Sequence, residues 1–438
     1  MKAQLVPLYF KSGRDEDFET QLATLKKLLV NEAEVSEPVA LGSPLPPADA
    51  VVFPQLLGDA YTQVEEIKRI AIPIVVITSE FATMSMWDWE IAAFLKTEGV
   101  DMILPYNLDQ ARKICKSLAV KRDMRDTKFL MFQDDPGEGF QASIFKRFWW
   151  WEDRCTQLIK DKFCITIEYR SFKEFGERAK NIPDEQAHAA WKNWDLNTEG
   201  LTDKNLTSAI KIYIAAKEEL ENDPSIKGIG SNCLNESHFS DTTPCLAWNM
   251  LFEEKGIVWA CEADTMSLMT KYLAHHCLGA PIMMTNIYPF LMGMAALKHE
   301  HIPAFPEAHE PQNCILLAHC GYFGIVPSSQ ATEWTLRPRV LTIVDDNATA
   351  IDARLPVGPA TMIKLDPMLT KMMVVECDLE GYVQYTESHC LNGAVIRVPD
   401  GHKVMTQAYS HHQILLSGNW KTDLEFMAKV LGLEIEEM

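Results

Sequence analysis

The chain has 438 residues and a formal charge of −20. That length exceeds one ordinary hydrophobic core and predicts two or three domains. The acidic balance excludes nucleic acid and anionic membranes as partners, because both call for basic patches that displace counterions. No apolar segment is long enough to cross a bilayer. The N-terminal MKAQLVPLYFKSGRDEDF has too short an apolar stretch for a signal peptide, so a cytoplasmic protein is expected. Eleven cysteines, an odd number without a CxxC pair, read as reduced and mostly buried small hydrophobes, Cys164, Cys261 and Cys314 among them.

In chain order, short apolar runs alternate with helical patterns over the first 120 or so residues. The runs Gln4 to Tyr9, Ala50 to Phe53, Ile72 to Ile77 and Asp101 to Leu104 are separated by segments such as Phe18 to Val30. Such alternation predicts βαβ units on a parallel sheet. No GxGxxG follows the first run, so no dinucleotide site is indicated. A second α/β series follows the polar stretch Lys121 to Asp126, with strands predicted at Lys128 to Phe132, Phe163 to Glu168, Ile226 to Gly230, Ile257 to Cys261, Ile282 to Thr285 and Cys314 to Ala318. The clearest helix between them is Asn205 to Glu221, where Leu206, Ile210, Ile214 and Leu220 keep one face apolar.

Beyond about residue 330, short β-rich runs are punctuated by Pro and Gly: Val340 to Val344, Ala350 to Leu355, Thr361 to Leu365, Met372 to Val375 and Ala394 to Val398. They predict a small antiparallel barrel or sandwich. A final helix, Asp423 to Leu431, carries a capping box of Thr422 and Glu425 and a terminating Gly432. The expected fold class is therefore α/β, with two doubly wound parallel-sheet domains (1–123 and 124–328) followed by a C-terminal antiparallel β-barrel-like domain with the final helix (329–438).

Residues 257 to 319 carry the chemistry. Read as strand, helix, strand, connection, strand, they place Glu262, Asn286 and His319 at three successive strand ends, which a parallel sheet brings to one edge. The 24-residue step from Glu262 to Asn286 suits one helical crossover. Asp264, just before Thr265, is equally explained as the first-turn carboxylate of the following helix. In SHHQILLSGNW, residues 410 to 420, an extended backbone sends His411 and His412 to opposite faces, so at most one is expected to face a given site. A carboxylate, an amide and an imidazole together suit a divalent metal such as Mn²⁺.

PCLAWNMLFEEKGIVWACEADTMSLMTKYLAHHCLGAPIMMTNIYPF, LLAHCG and SHHQILLSGNWKTDLEFMAKVLGLEI together resemble the L-fucose isomerase family, which has arabinose isomerases as distant relatives. The resemblance implies two α/β domains and a β-barrel-like domain, and a divalent metal, commonly Mn²⁺, that serves aldose–ketose interconversion of a free sugar. It implies a homo-oligomer, a trimer or hexamer. It places the family's glutamate on Glu262 and its histidine on His412, six residues before Gly418, as metal ligands, with Glu262 also the base. The family's aspartate falls on Asn286, an amide that can offer its carbonyl oxygen to a metal but cannot act as a base.

Asp264, His319 and His411 are then expected around the substrate. An N-terminal-domain tryptophan, Trp87 or Trp89, is expected to close the pocket of a neighbouring subunit, although core or interface packing explains these residues and Trp149 to Trp151 as well. Because of Asn286, a non-catalytic sugar-binding or regulatory protein and an isomerase for a modified or acidic sugar stay open.

Overall fold

A computed structural model gives the fold of all residues except 139–142, 305–306, 321, 339–345, 386–387 and 389. The predicted run Val340 to Val344 lies outside the described residues. The chain forms two compact units: Met1–Asp123 with His276–Leu278 and Thr422–Glu434, and Met124–His275 with Gly279–Lys421 and Ile435–Met438.

The first unit is built on a parallel sheet of β1 (Ala3–Tyr9), β2 (Ala33–Val35), β3 (Val39–Ala40), β4 (Ala50–Phe53) and β5 (Ile74–Val76). The strand order is β2-β1-β4-β5, and β3 also pairs with β1. Strand side chains alternate between faces. Val6, Leu8, Val51 and Phe53 therefore enter one buried cluster, while Leu5, Ala50 and Val52 enter another. Both faces are covered, as near-continuous apolar strands require. The final helix, Lys421–Leu431, adds Val430 and Phe426 to the second cluster. It begins at Lys421, so Thr422 lies inside its first turn rather than capping it. Gly432 ends the helix with φ +66°, as the sequence predicts.

The second unit holds a second parallel sheet, β6 (Lys128–Phe132), β7 (Thr166–Arg170), β8 (Ile226–Ser231) and β9 (Val258–Cys261), in the order β7-β6-β8-β9. It also holds β10 (Met283–Pro289), β11 (Cys314–Ala318), β12 (Glu333–Pro338), β13 (Thr349–Arg354), β14 (Gly358–Leu365), β15 (Lys371–Val383), β16 (Gly393–Arg397) and β17 (His412–Ser417). Strands β12 and β13 pair with each other. The other six form an antiparallel barrel in the order β14-β17-β10-β11-β16-β15, closed by pairing of β15 with β14. All eleven cysteines are free, and most are buried; Cys164 is exposed, because it caps the helix Asp153–Phe163 in a left-handed conformation.

Two strands depart from the sequence reading. Those predicted at Ile282 to Thr285 and Cys314 to Ala318 do not extend the parallel sheet but run antiparallel to each other in the barrel. The first of them continues through Asn286 to Pro289, so Asn286 sits inside a strand and not after one. A short apolar run carries no information on strand direction. Here direction is set by the partners: Asn286 is the register partner of His412 on β17 and of Ala318 on β11.

Candidate metal centre

The site starts where β9 ends. Its four residues are buried, and the chain then turns through Glu262 (φ +54°) and Ala263 (φ +49°), two consecutive non-glycine residues in left-handed conformations. Such a pair is unfavourable and persists only where its surroundings fix it. Here Ala263 N–H donates to Ser231 O at 2.8 Å and Asp264 N–H to Cys261 O at 3.0 Å. The indoles of Trp150 and Trp151 both donate to the Glu262 carbonyl, at 3.2 and 2.7 Å. The tryptophan run, read from sequence as packing, thus clamps the turn that aims Glu262.

Asp264 is the N-cap of the helix Thr265–Leu278, accepting from Ser267 N–H at 2.8 Å. That fulfils the simple reading of this residue, and the side chain does more. Its Oδ2 lies 2.8 Å from His412 Nδ1 and 3.1 Å from Lys364 Nζ, and it accepts from Ser267 Oγ at 2.6 Å. Lys364, on β14, is itself buried and also donates to Ser267. Sequence reasoning missed Lys364. The signal was a lysine in the apolar run TMIKL, where the strand period turns it inward.

With Nδ1 engaged by Asp264, the Nε2 of His412 faces Glu262 Oε1 at 3.6 Å. His411 Nε2 lies 3.7 Å from Glu262 Oε2. The two histidines gather at the same carboxylate, their ring centroids 4.1 Å apart. This corrects the expectation that only one of them faces the site. β17 begins at His412, so His411 lies before the strand and escapes its alternation.

Charge follows from this geometry. Burial alone would raise the Glu262 pKa, but the neighbouring histidines hold it well below the ordinary carboxylate value. Burial likewise opposes ionisation of Asp264, and Lys364 and His412 outweigh it. His412 would be lowered by burial, yet Glu262 and Asp264 bring it up to about 9. His411 is lowered by burial and by its neighbour His412. Lys364 is lowered by burial, against the pull of Asp264.

Asn286 shares the His412 face of the barrel, because directly opposed residues of antiparallel strands do. Its Nδ2 donates to Tyr288 Oη at 3.3 Å, while its Oδ1 is buried without a hydrogen bond. His319 is buried just beyond β11, its ring centroid 6.1 Å from that of His412. Trp87 and Trp89 belong to the first unit, where they are 72% and 46% exposed.

Among the described residues, Glu262, His411 and His412 form a group that can hold a metal ion, their ligand atoms all within 4.8 Å of one another. The fit rests on three features. The carboxylate–imidazole separations are what two bonds of about 2.1 Å from a common ion span. Glu262 Oε2 and His412 Nε2 are buried without hydrogen bonds, so the carboxylate has a lone pair to offer and the imidazole would offer its own on releasing its Nε2 proton as a cation binds. His412 donates its other nitrogen to a buried carboxylate, the arrangement that orients metal-bound imidazoles. No helix of the described residues is long and apolar enough to cross a membrane. Compared with known proteins, the chain matches no family model and no curated protein.

Proposed function

We propose that the second unit is the catalytic part of a metal-dependent ketol isomerase that interconverts an aldose and a ketose of the fucose or arabinose type. The observation that carries this reading is the buried Glu262–His411–His412 group, set on a strained turn and backed by Asp264. Glu262 and Asp264 are balanced by Lys364 and the His412 imidazolium; a cation bound at Glu262 would displace the His412 proton, and the two carboxylates against Lys364 would then face it. Carboxylate and imidazole donors suit Mn²⁺. A bound divalent ion supplies Lewis acidity toward a sugar carbonyl and its neighbouring hydroxyl.

The protein's own residues do the rest. Glu262, fixed by the two indole hydrogen bonds to its carbonyl, takes the carbon-bound proton and returns it to the adjacent carbon. Asp264 and Lys364 keep His412 in one tautomer and one orientation. His411, the more exposed of the two imidazoles, would offer its Nε2 to the ion beside Glu262. Asn286 contributes an oxygen without charge, so Glu262 is left as the carboxylate base of the pair. By the same reading the protein works in the cytoplasm as a homo-oligomer, a trimer or hexamer.

A second reading, a sugar-binding protein without turnover, is favoured by that amide alone. A screen of aldoses with added Mn²⁺, read by appearance of the ketose, separates the two. Conversion of at least one sugar is expected; tight sugar binding with no conversion of any would replace the isomerase with the binding protein.

A further inference from the structure

The parallel sheet of the second unit carries a row of polar residues beside Glu262 that the proposed chemistry leaves unused. Gln133 follows β6, Asn232 follows β8 and Glu262 follows β9, and these three strands are adjacent in the order β6-β8-β9. Ser231 is the register partner of Cys261. Asn232 N–H donates to Phe132 O at 3.0 Å, and Ala263 N–H donates to Ser231 O. The main chain at Asn232 is thereby tied to the ends of both neighbouring strands. Parallel sheets bind ligands outside this carboxyl edge.

Asn232 is fully buried, yet neither its Oδ1 nor its Nδ2 has a hydrogen-bond partner. The Oγ of Ser231, 1% exposed, and the Oδ1 of Asn235, 4% exposed, are in the same condition, and so is Gln133 Oε1. Buried polar groups in folded proteins are nearly always bonded, so several unbonded ones along one edge call for an occupant. Their chemistry says which kind. A primary amide offers donors and an acceptor side by side, and a hydroxyl oxygen both gives and takes. Among the described residues the acidic groups that flank this row, Asp134, Asp135 and Glu236, disfavour an anion, and Glu236 accepts from the Asp134 and Asp135 N–H groups.

We infer that Asn232, flanked by Ser231, Asn235 and Gln133, is the specificity subsite that binds the hydroxyl groups of a neutral polyol chain beyond the atoms held at Glu262. The assignment rests on the sugar reading above and names a subsite for it. It restricts ligands to uncharged polyhydroxylated chains, and disfavours sugar acids and sugar phosphates.

The test uses L-arabinitol, a polyol that cannot isomerise, titrated by calorimetry into the full chain saturated with Mn²⁺. Wild-type protein is expected to bind it. Both Asn232→Leu, which fills the space without polar atoms, and Asn232→Ala, which empties it, are expected to weaken binding at least about tenfold. In both, Mn²⁺ affinity is expected to stay within about twofold of wild type, because Asn232 is not a ligand of the ion. Wild-type affinity for L-arabinitol in either folded variant, no binding by wild type at millimolar polyol, or equal loss of Mn²⁺ and polyol would overturn the assignment. Polyol binding by a wild-type protein that converts no sugar would sink the isomerase reading and leave Asn232 as proposed.

Discussion

His412 Nδ1 lies 2.8 Å from Asp264 Oδ2, with both side chains fully buried and Lys364 Nζ 3.1 Å from the same oxygen. This contact makes a helix cap the support of a residue in the group that can hold a metal. The residue that starts the helix also decides which nitrogen of His412 is left for Glu262. Position and charge are separable, and the Asp264→Asn variant separates them. An asparagine oxygen can still accept from Nδ1, but the buried Lys364 loses its counter-charge. Mn²⁺ affinity is expected to fall about 10- to 100-fold, and stability by about 3 kcal/mol because a buried charge is left unpaired. Adding Lys364→Met should restore part of the stability and none of the metal affinity, as read by urea denaturation beside Mn²⁺ titration.

Asn286 gives a test in the opposite direction. It shares a face with its register partner His412, and its Oδ1 is buried and unbonded. Asn286→Asp places a carboxylate on the barrel face of His412. Metal-free protein should melt lower, since a buried charge is added without a partner. The gain in melting temperature on adding Mn²⁺ should exceed that of wild type, because tighter binding to the folded state adds stability. An unchanged Mn²⁺ response would place Asn286 outside the metal's reach.

Lys271 supplies a pH dependence away from the metal ligands. Its ammonium is buried over the Trp259 ring, 3.5 Å from the centroid, and donates to Trp259 O at 2.8 Å. Burial lowers its pKa to about 7, with Cys261 the neighbouring titratable group. The unfolded chain therefore holds this proton up to a higher pH than the folded one, and folding is penalised below about pH 7. The penalty is relieved between about pH 7 and 10, by at most about 1.4 kcal/mol per pH unit. Lys271→Met should be the more stable protein at pH 6.5, and its advantage should shrink as the pH rises toward 10. A constant difference across that range in denaturant melts would contradict the assignment.

Gly393 reports on the barrel that carries Asn286 and His412. A Cβ there would fall 1.9 Å from Leu317 O and 2.8 Å from the Ala318 Cβ. The backbone of β11 would have to move, and Ala318 is the register partner of Asn286. Gly393→Ala is expected to cost about 1–3 kcal/mol, measured by thermal denaturation. Its Mn²⁺ affinity should fall as well.

Much of this arrangement was legible in the residues. Glu262 and Asp264 stood out because an apolar strand meets a helix there and two carboxylates exceed what a turn needs. The final β-rich region was predicted from its spacing of short runs between Pro and Gly. What was hidden depended on pairing partners. β10 and β11 read as parallel strands because a buried run has the same pattern in either kind of sheet, and only the pairing of Asn286 with His412 and Ala318 fixes their direction. That His411 and His412 reach the same carboxylate was hidden by an alternation rule that applies inside a strand, whereas the strand begins at His412. Trp150 and Trp151 looked like bulk packing, and their role is a pair of hydrogen bonds to the carbonyl of a residue more than a hundred positions away.

The central claim is that Glu262 moves a carbon-bound proton of a free sugar. Incubating an aldose panel, including L-fucose and the arabinoses, with Mn²⁺-loaded protein in deuterium oxide and following the C2 proton by NMR tests it most directly. Exchange reports proton abstraction even where equilibrium hides net conversion. Deuterium should enter C2 of at least one sugar with wild-type protein, and Glu262→Gln should lose that exchange while remaining folded. Exchange that survives unchanged in Glu262→Gln, or no exchange from any sugar by metal-loaded wild type, would contradict the account.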